Sequence, residues 1–518
     1  MKKLCSLFFV FYLFSFYSQN KPKLVVGIVV DQMRYDYIYR FWDKFGNDGF
    51  KKLVKEGFFF RNTHFNYTPT YTGPGHASIY TGTTPSVHGI IANNWYDKNS
   101  KNTVYCAGDT TMATICDCKA HRTPSNNSGK MSPHRMLTTT FCDELKLFQP
   151  NAKVFGISLK DRGAILPSGH SSDGAFWMDD KAEWISSSYY FKELPKWLAT
   201  FQSNHSPLNN KNLKWIGEGV NYNLSDLIKT NGPSVIKTSP IGNTYLKNLA
   251  IELLKNEKLG MDSITDVLTL SFSSTDYIGH KYGPHSNEII DTYIKLDKDL
   301  ADFLNFIEKS YGKENALVFL TADHGVVSVP NELIKRNIPA GYFNGATLLT
   351  EINSLLKKQF DTDEDLALSY SNQQLFLNRK YISKHHLKLK DIQEAAANYI
   401  LTKEGVMNTY TAYQLHHHEY ENGFHSLIQN GFHQKRSGDV IVNYNPGWIQ
   451  WDSETGTTHG SCFSYDTHVP LLFWGANIKN GLSDKKVEII DVAPSVCLLL
   501  GISFPNGCTG KPLNEITE

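Results

Sequence analysis

Short apolar runs in this chain end beside carboxylates and histidines, and that arrangement restricts the fold more than any other feature. Asp31 follows the run Leu24-Val25-Val26-Gly27-Ile28-Val29-Val30. Asp276 follows Val267-Leu268-Thr269-Leu270-Ser271-Phe272, with His280 four residues on, and Asp323-His324 follow Ala316-Leu317-Val318-Phe319-Leu320. His459 stands shortly before another run, Val469 to Trp474. Runs of this kind read as buried parallel strands. In open α/β sheets, ligands bind outside the carboxyl ends of the strands. Residues distant in sequence would then meet at one edge, and three Asp with three His there suit a divalent metal such as zinc.

Elsewhere, apolar runs alternate with amphipathic stretches, which is the pattern of an α/β sheet. From about Ser286 to Ser310, the residues Ile289, Tyr293, Leu296, Leu300, Phe303 and Ile307 recur at spacings of three and four. This predicts a helix with one face on the sheet. Two stretches break the alternation: 165–245 is rich in Ser, Asn, Trp, Tyr and Lys, and 330–450 in Asn, His, Tyr and Gln. Both lie between ligand-bearing segments. They read as insertions covering the active-site edge of a single domain, 19–518, and not as independent domains. The second contains His416-His417-His418, a triplet more often found in a solvated loop than at a metal.

With 518 residues, 41% apolar, the chain can bury a sizeable core, and its net charge of +1 offers no field for nucleic acid or an anionic membrane. Any preference for an anion must come from a local site. Met1-Lys2-Lys3 and the apolar stretch from Leu4 to about Tyr17 read as a secretory signal peptide ending near Ser18. The stretch is shorter than the roughly 20 residues a membrane span needs. No other span is visible, so the expectation is a secreted protein, periplasmic or extracellular. Cys5 would leave with the signal; Cys106, Cys116, Cys118, Cys142, Cys462, Cys497 and Cys508 remain. Some disulfides fit an oxidising compartment, and the odd count leaves a thiol over unless chains pair.

Taken singly, the motifs are weak. Asp276 and His280, at i and i+4, would share a face of a helical turn and could bind one metal, but taken alone such a pair is more often a solvated helix pair. Thr72 precedes Gly73-Pro74-Gly75, which reads as a tight turn, and His76 to Tyr80, which reads as a first helical turn. A hydroxyl just before a helix N-terminus meets free N–H groups and partial positive charge, which favour an alkoxide and an anionic substrate. It needs a metal or base to act as a nucleophile, and an N-cap role is the plainer alternative. Lys160-Asp161-Arg162 follows Val154-Phe155-Gly156-Ile157-Ser158-Leu159. If extended, it turns both cations to one side, where they can hold phosphate oxygens. Asn93 offers one more donor. The weight lies in the set.

That set resembles the alkaline phosphatase superfamily, in the branch shared with type I phosphodiesterases and nucleotide pyrophosphatases. The resemblance rests on Asp31, Thr72-Gly73-Pro74-Gly75-His76, Asp276-x-x-x-His280, Asp323-His324-Gly325 and His459-Gly460, and spans nearly the whole chain from about Lys23. Asn93 with Lys160 and Arg162 is similar to the PafA-type, phosphate-irrepressible monoesterases with a threonine nucleophile. The resemblance implies an α/β sandwich, its central, mostly parallel sheet flanked by helices, with cap insertions over the active-site edge. It implies two zinc ions, one on Asp276, His280 and His459, the other on Asp31, Asp323, His324 and the Thr72 oxygen. It implies a phosphothreonine intermediate at Thr72, with Asn93, Lys160 and Arg162 on the nonbridging oxygens of small phosphate monoesters.

The closest rival is a phosphodiesterase or nucleotide pyrophosphatase on the same two-zinc site; two cations suit a monoester dianion better. A sulfatase would need Cys or Ser where Thr72 stands, in a C/S-x-P-x-R context. A metal- or phosphate-binding protein without turnover would have no use for a nucleophile beside a full ligand set.

Overall fold

The apolar runs form strands, and their register explains why the polar residues meet. A computed structural model describes residues 21–117, 127–451 and 453–517. The expected signal segment 1–18 and Cys118 lie outside the described residues. The central sheet contains β1 (Leu24–Val30), β2 (Phe58–His64), β3 (Val154–Ser158), β4 (Gly174–Met178), β5 (Asp266–Phe272), β6 (Ala316–Thr321) and β7 (His468–Gly475). Their order is β2-β7-β6-β1-β5-β3-β4. Trp184–Ser187 and Thr114–Ile115 extend the sheet beyond β4, and Gly481–Ser483 extends it beyond β2. β1, β3, β5 and β6 are buried along their whole length, as apolar strands covered on both faces must be.

β1 runs parallel between β5 and β6, with Val30 opposite Phe272 and Val29 opposite Thr321. β3 and β4 are parallel too. Asp31, Lys160, Asp276 and Asp323 therefore leave the sheet on one edge. β7 corrects the expectation of a parallel strand for Val469 to Trp474: it is antiparallel to β6, with Thr321 opposite Leu471. A strand buried on both faces has the same composition in either direction, so composition cannot give its sense. The reversal places the start of β7 at the carboxyl edge of β6. That is why His459 precedes its strand while Asp31, Asp276 and Asp323 follow theirs.

Helices flank the sheet, among them α1 (Thr72–Thr81), α2 (Asp161–Ser168), α3 (Pro240–Asn256), α4 (Ser274–Tyr282) and α5 (Asn287–Tyr311). α5 is the predicted amphipathic helix. Its six periodic apolar residues are all buried, and the Ser286 hydroxyl caps it by accepting the Ile289 N–H at 3.2 Å. α1 is buried at every residue and meets the sheet at Gly27, where a Cβ would stand 2.3 Å from Tyr80 Oη and 2.5 Å from the Phe319 ring.

Residues 330–450 hold a separate antiparallel sheet in the order Ala367–Ser371, Gln374–Leu377, Val440–Tyr444, Val406–Thr411. Helices Gly345–Phe360 and Leu389–Leu401 accompany it, with an apolar cluster that includes Ile352, Leu375, Ile392 and Val440. In the stretch 165–245, β4 and Trp184–Ser187 join the central sheet. His416, His417 and His418 are exposed at the end of helix Ala412–His417. Cys106, Cys142, Cys462, Cys497 and Cys508 are free thiols, the first four buried as small apolar side chains.

Candidate active site

Thr72 opens α1 and is 1% exposed. Gly73-Pro74-Gly75, expected as a turn before the helix, forms its first turn instead. A proline costs little there, because first-turn N–H groups have no helical partner. Gly75 is required because a Cβ would stand 2.3 Å from the Asp323 carbonyl oxygen. The N-cap is Tyr71, and no side chain caps the helix. The Thr72 hydroxyl, free of a capping bond, stands 3.4 Å from His324 Nε2. His76 supports it from behind, its Nδ1 donating to the Thr72 carbonyl at 2.9 Å.

Around this hydroxyl the chain gathers two groups whose ligand atoms lie within 4.8 Å of one another: Asp31, Asp323 and His324, and Asp276, His324 and His459. His280 joins through α4, which sets its Nε2 3.1 Å from Asp276 Oδ1. Asp31 is pinned by its backbone N–H to the Phe272 carbonyl at 2.9 Å. Asp31, Asp323 and His324 are 0% exposed, whereas 25% of the His280 side chain reaches solvent.

These residues fit divalent metals on two observations. First, each imidazole points Nδ1 at a backbone carbonyl: His280 at Thr457 (2.7 Å), His324 at Gly325 (2.9 Å) and His459 at Thr70 (2.7 Å). A carbonyl only accepts, so Nδ1 carries the proton and Nε2 offers a lone pair to the site. Burial pushes His324 and His459 below the usual imidazole range, which keeps them neutral. Second, Asp31 Oδ1 and Asp323 Oδ2 are buried and accept no hydrogen bond. Burial, then Asp276 and Asp323, push the Asp31 carboxyl well up, the response of a carboxylate short of positive charge. Burial also works against ionised Asp276, but His280 and Lys160 hold it well below the usual range.

The anion-binding candidates differ from the expected geometry. Lys160-Asp161-Arg162 is not extended: Lys160 is the N-cap of α2, and Asp161 begins the helix. A helix N-terminus follows directly on the strand, as in other α/β crossovers, and Asp161 in the first turn favours it. Lys160 Nζ is ion-paired with Asp31 Oδ2 at 2.7 Å and Asp276 Oδ2 at 2.5 Å. Burial opposes its charge, but Asp276 and Asp31 hold the ammonium above its ordinary value. Arg162 Nη1 donates to Tyr105 Oη at 3.0 Å, and Tyr105 donates to Asp161. Asn93 Oδ1 accepts the Gly73 N–H at 2.7 Å, so its amide nitrogen is the end left to donate.

With this geometry in view, the type I phosphodiesterase / nucleotide pyrophosphatase family model matches residues 25–466. The chain belongs to that family. Alkaline phosphatase PafA of Elizabethkingia meningoseptica is 39% identical over 524 residues, covering 96% of this chain and 94% of the relative. The crystal structure of wild-type PafA matches with a TM-score of 0.88 over 96% of this chain and 99% of that one. Alkaline phosphatase PhoV of Synechococcus elongatus is 36% identical, covering 96% and 93%. A Myroides odoratus protein named calcium-transporting ATPase is also 36% identical, covering 99% and 97%. Among the described residues, no helix is long and apolar enough to cross a membrane.

Within this family site, sequence reasoning passed over three residues. Gln32, at a left-handed φ of 65°, donates its backbone N–H to Asp323 Oδ1 at 3.1 Å and its side-chain amide to Asp276 Oδ1 at 2.7 Å. It ties the two groups together, and its place directly after Asp31 was the available signal. Tyr105 holds Arg162 from a distant hairpin that no spacing links to it. Asp466 is buried and accepts the N–H groups of Gly460 (3.1 Å) and Ser461 (2.7 Å), fixing the loop that carries His459.

Proposed function

We propose that this protein is a zinc-dependent alkaline phosphatase that hydrolyses phosphate monoesters through a covalent phosphothreonine at Thr72. The names of the two alkaline phosphatase relatives support the reaction class. The observation that carries the residue assignment is the Thr72 hydroxyl: buried, free of a capping bond and 3.4 Å from Nε2 of His324, which both ligand groups share. One metal would be held by Asp276, His280 and His459, and the other by Asp31, Asp323, His324 and the Thr72 oxygen. Bound there, two divalent ions supply Lewis-acid stabilisation of the attacking and leaving oxygens.

The chain's own residues do the rest. Thr72 Oγ1 attacks phosphorus as the ester P–O bond breaks on the far side. The N-terminal end of α1 favours the anionic phosphoryl group. The Asn93 amide and the Lys160 and Arg162 cations bind its nonbridging oxygens. Water then attacks the phosphothreonine along the path the alcohol left, and Thr72 is regenerated. The same reading takes residues 1–18 as an export signal and residues 330–450 as a cap over the site.

Thr72→Ala tests the assignment. Turnover should fall by orders of magnitude while metal content stays at two zinc per chain, because six protein ligands remain. Exhaustive chelation of the unaltered protein should abolish activity. A labelled phosphoryl group still trapped on the Thr72→Ala chain, or one metal or none in active protein, overturns the reading. The family description itself favours a phosphodiesterase as the second reading, and comparison of monoester and diester rates separates the two.

A further inference from the structure

A cavity of about 320 Å³ is lined by His459, by the loop that follows it, by residues 370–373 and 448–451, and by Tyr444. Aromatic rings share its walls with neutral polar side chains such as Asn372, Gln373 and Gln450. Tyr71 meets the His459 ring edge-on at 5.5 Å between centroids, and Trp451 lies parallel to His280 at 5.5 Å. The Tyr370 and Tyr444 hydroxyls bond each other at 2.6 Å, so their polar ends are satisfied, and Trp448 also lines the cavity. Among the described lining residues none is Lys or Arg, and Asn93, Lys160 and Arg162 are not among them. The cavity does hold a carboxylate: Asp466, 1% exposed, whose Oδ1 is buried with no donor.

We infer that this cavity is a leaving-group subsite that takes a neutral aromatic alcohol. The inference rests on the phosphomonoesterase reading and names its substrate class. Phosphoryl oxygens are held by Asn93, Lys160 and Arg162, and the organic group departs opposite Thr72, toward His280 and His459. There it meets ring faces and edges, which attract another ring beyond simple area burial. A second anionic group on the alcohol would find no cation and would face Asp466. The volume matches the small end of ligand cavities, about 300 Å³. The phosphoryl group passes to Thr72 Oγ1, whose proton goes to solvent. The P–O bond to the aryl group breaks with its electron pair on the aryl oxygen, which takes up a proton.

The test compares phenyl phosphate with ethyl phosphate on zinc-loaded, full-length protein, in the unaltered chain and in Trp448→Leu and Ser371→Trp. The first variant trims the wall; the second fills the cavity from a residue that also lines it. Comparing variants cancels the intrinsic reactivity of the two esters. Each variant should lower kcat/KM for phenyl phosphate about five- to tenfold and change ethyl phosphate less than about twofold. Parallel changes for both esters, or none, in a variant whose near-UV circular dichroism matches the unaltered protein would overturn the subsite. On the unaltered protein, naphthol should inhibit competitively and naphthoate should not; equal inhibition by both, or by neither, overturns it as well. If the unaltered protein hydrolyses neither ester, the phosphomonoesterase reading itself fails. If it hydrolyses both and the variants do not separate them, only the subsite fails.

Discussion

Asp297 in α5 and Asp323 at the end of β6 are both buried, 2% and 0% exposed, yet their surroundings are opposite. Asp297 receives the Phe50 N–H on Oδ1 at 2.8 Å and the Gly46 N–H on Oδ2 at 2.7 Å. Asp266 is similar, with the N–H groups of Lys153 and Gly260 at 2.6 and 2.8 Å. Each oxygen has a donor, so burial fastens a loop to the body of the fold. At the sheet edge, Asp31 and Asp276 share one ammonium, that of Lys160, and Asp31 Oδ1 and Asp323 Oδ2 accept no hydrogen bond. An ionised carboxylate buried without partners is costly. The first kind of burial explains itself within the chain. The second is the arrangement expected of a carboxylate set that takes up cations.

Exchanging the two kinds of carboxylate for amides should give crossed results. Asp31→Asn removes a carboxylate that burial and the neighbouring Asp276 and Asp323 already disfavour, so the metal-free protein should be at least as stable as before. Metal affinity and turnover should each fall by more than about a hundredfold, beyond the loss typical of outer partners of a metal site. Asp297→Asn puts an NH₂ against backbone N–H groups. It should cost about 1–3 kcal/mol of stability and leave turnover per folded molecule unchanged. Thermal unfolding of metal-free protein, zinc titration and rate measurements on both variants decide the matter. Two variants that lose only stability would erase the distinction.

The cations at the same edge permit a second test. Lys160 and Arg162 should favour a monoester dianion over a diester, since the monoester carries more charge on its nonbridging oxygens. Each charge-assisted contact is worth roughly 1.5–3 kcal/mol, or about ten- to hundredfold in rate. Lys160→Ala/Arg162→Ala should therefore cut monoester kcat/KM steeply and diester kcat/KM much less, on one preparation. An equal fall would return weight to the phosphodiesterase reading.

The sheet was legible because its strands are continuous apolar runs, and α5 because its apolar residues keep a helical period. Asp31, Asp276 and Asp323 could be placed at one edge from their positions after such runs. The sense of β7 was not legible, since a doubly buried run looks alike in either direction. Helix starts were misjudged at Thr72 and Asp161, where Gly-Pro-Gly and Lys-Asp-Arg carry no apolar period. Tyr105 and the aromatic wall near His459 act across long sequence separations, and only the fold brings them together, whereas Asp466 lies close in sequence to Gly460 and Ser461 but in no periodic pattern.

Asp299, also in α5, lies between the two kinds of carboxylate and refines the comparison. One oxygen receives the Thr244 hydroxyl at 2.8 Å, while the other has Lys247 Nζ only at 3.9 Å. Burial pushes its carboxyl up to about 6 from an ordinary 3.8. Between these values the folded chain holds a proton that the unfolded chain has released. Stability should therefore fall as pH rises through that window and level off above it, by up to about 3 kcal/mol. Asp299→Asn, which can still accept from Thr244, should lose this fall. The variant should match the unaltered protein near pH 4 and exceed it near pH 7, about the ends of the window. Denaturant titrations at both pH values check this, and identical pH slopes for the two proteins would contradict it.

The smallest expected effect concerns how one cation is held. Lys160 is fixed by two carboxylates, but Arg162 has Nε buried without an acceptor and leans on Tyr105 Oη at 3.0 Å. Tyr105 in turn donates to Asp161, so a neutral hydroxyl passes the orientation of a carboxylate to the guanidinium. Tyr105→Phe keeps the ring and removes that relay. A neutral hydrogen bond of this sort contributes about 1 kcal/mol, so monoester kcat/KM should fall about fivefold and diester kcat/KM less. A merely structural tyrosine could produce a similar loss, and a double-mutant cycle separates the two cases. If Tyr105 acts through Arg162, then Tyr105→Phe/Arg162→Ala should be no slower than Arg162→Ala alone. Additive losses would mean that the hydroxyl supports the hairpin and not the cation, and Arg162 would then owe its orientation to α2 alone.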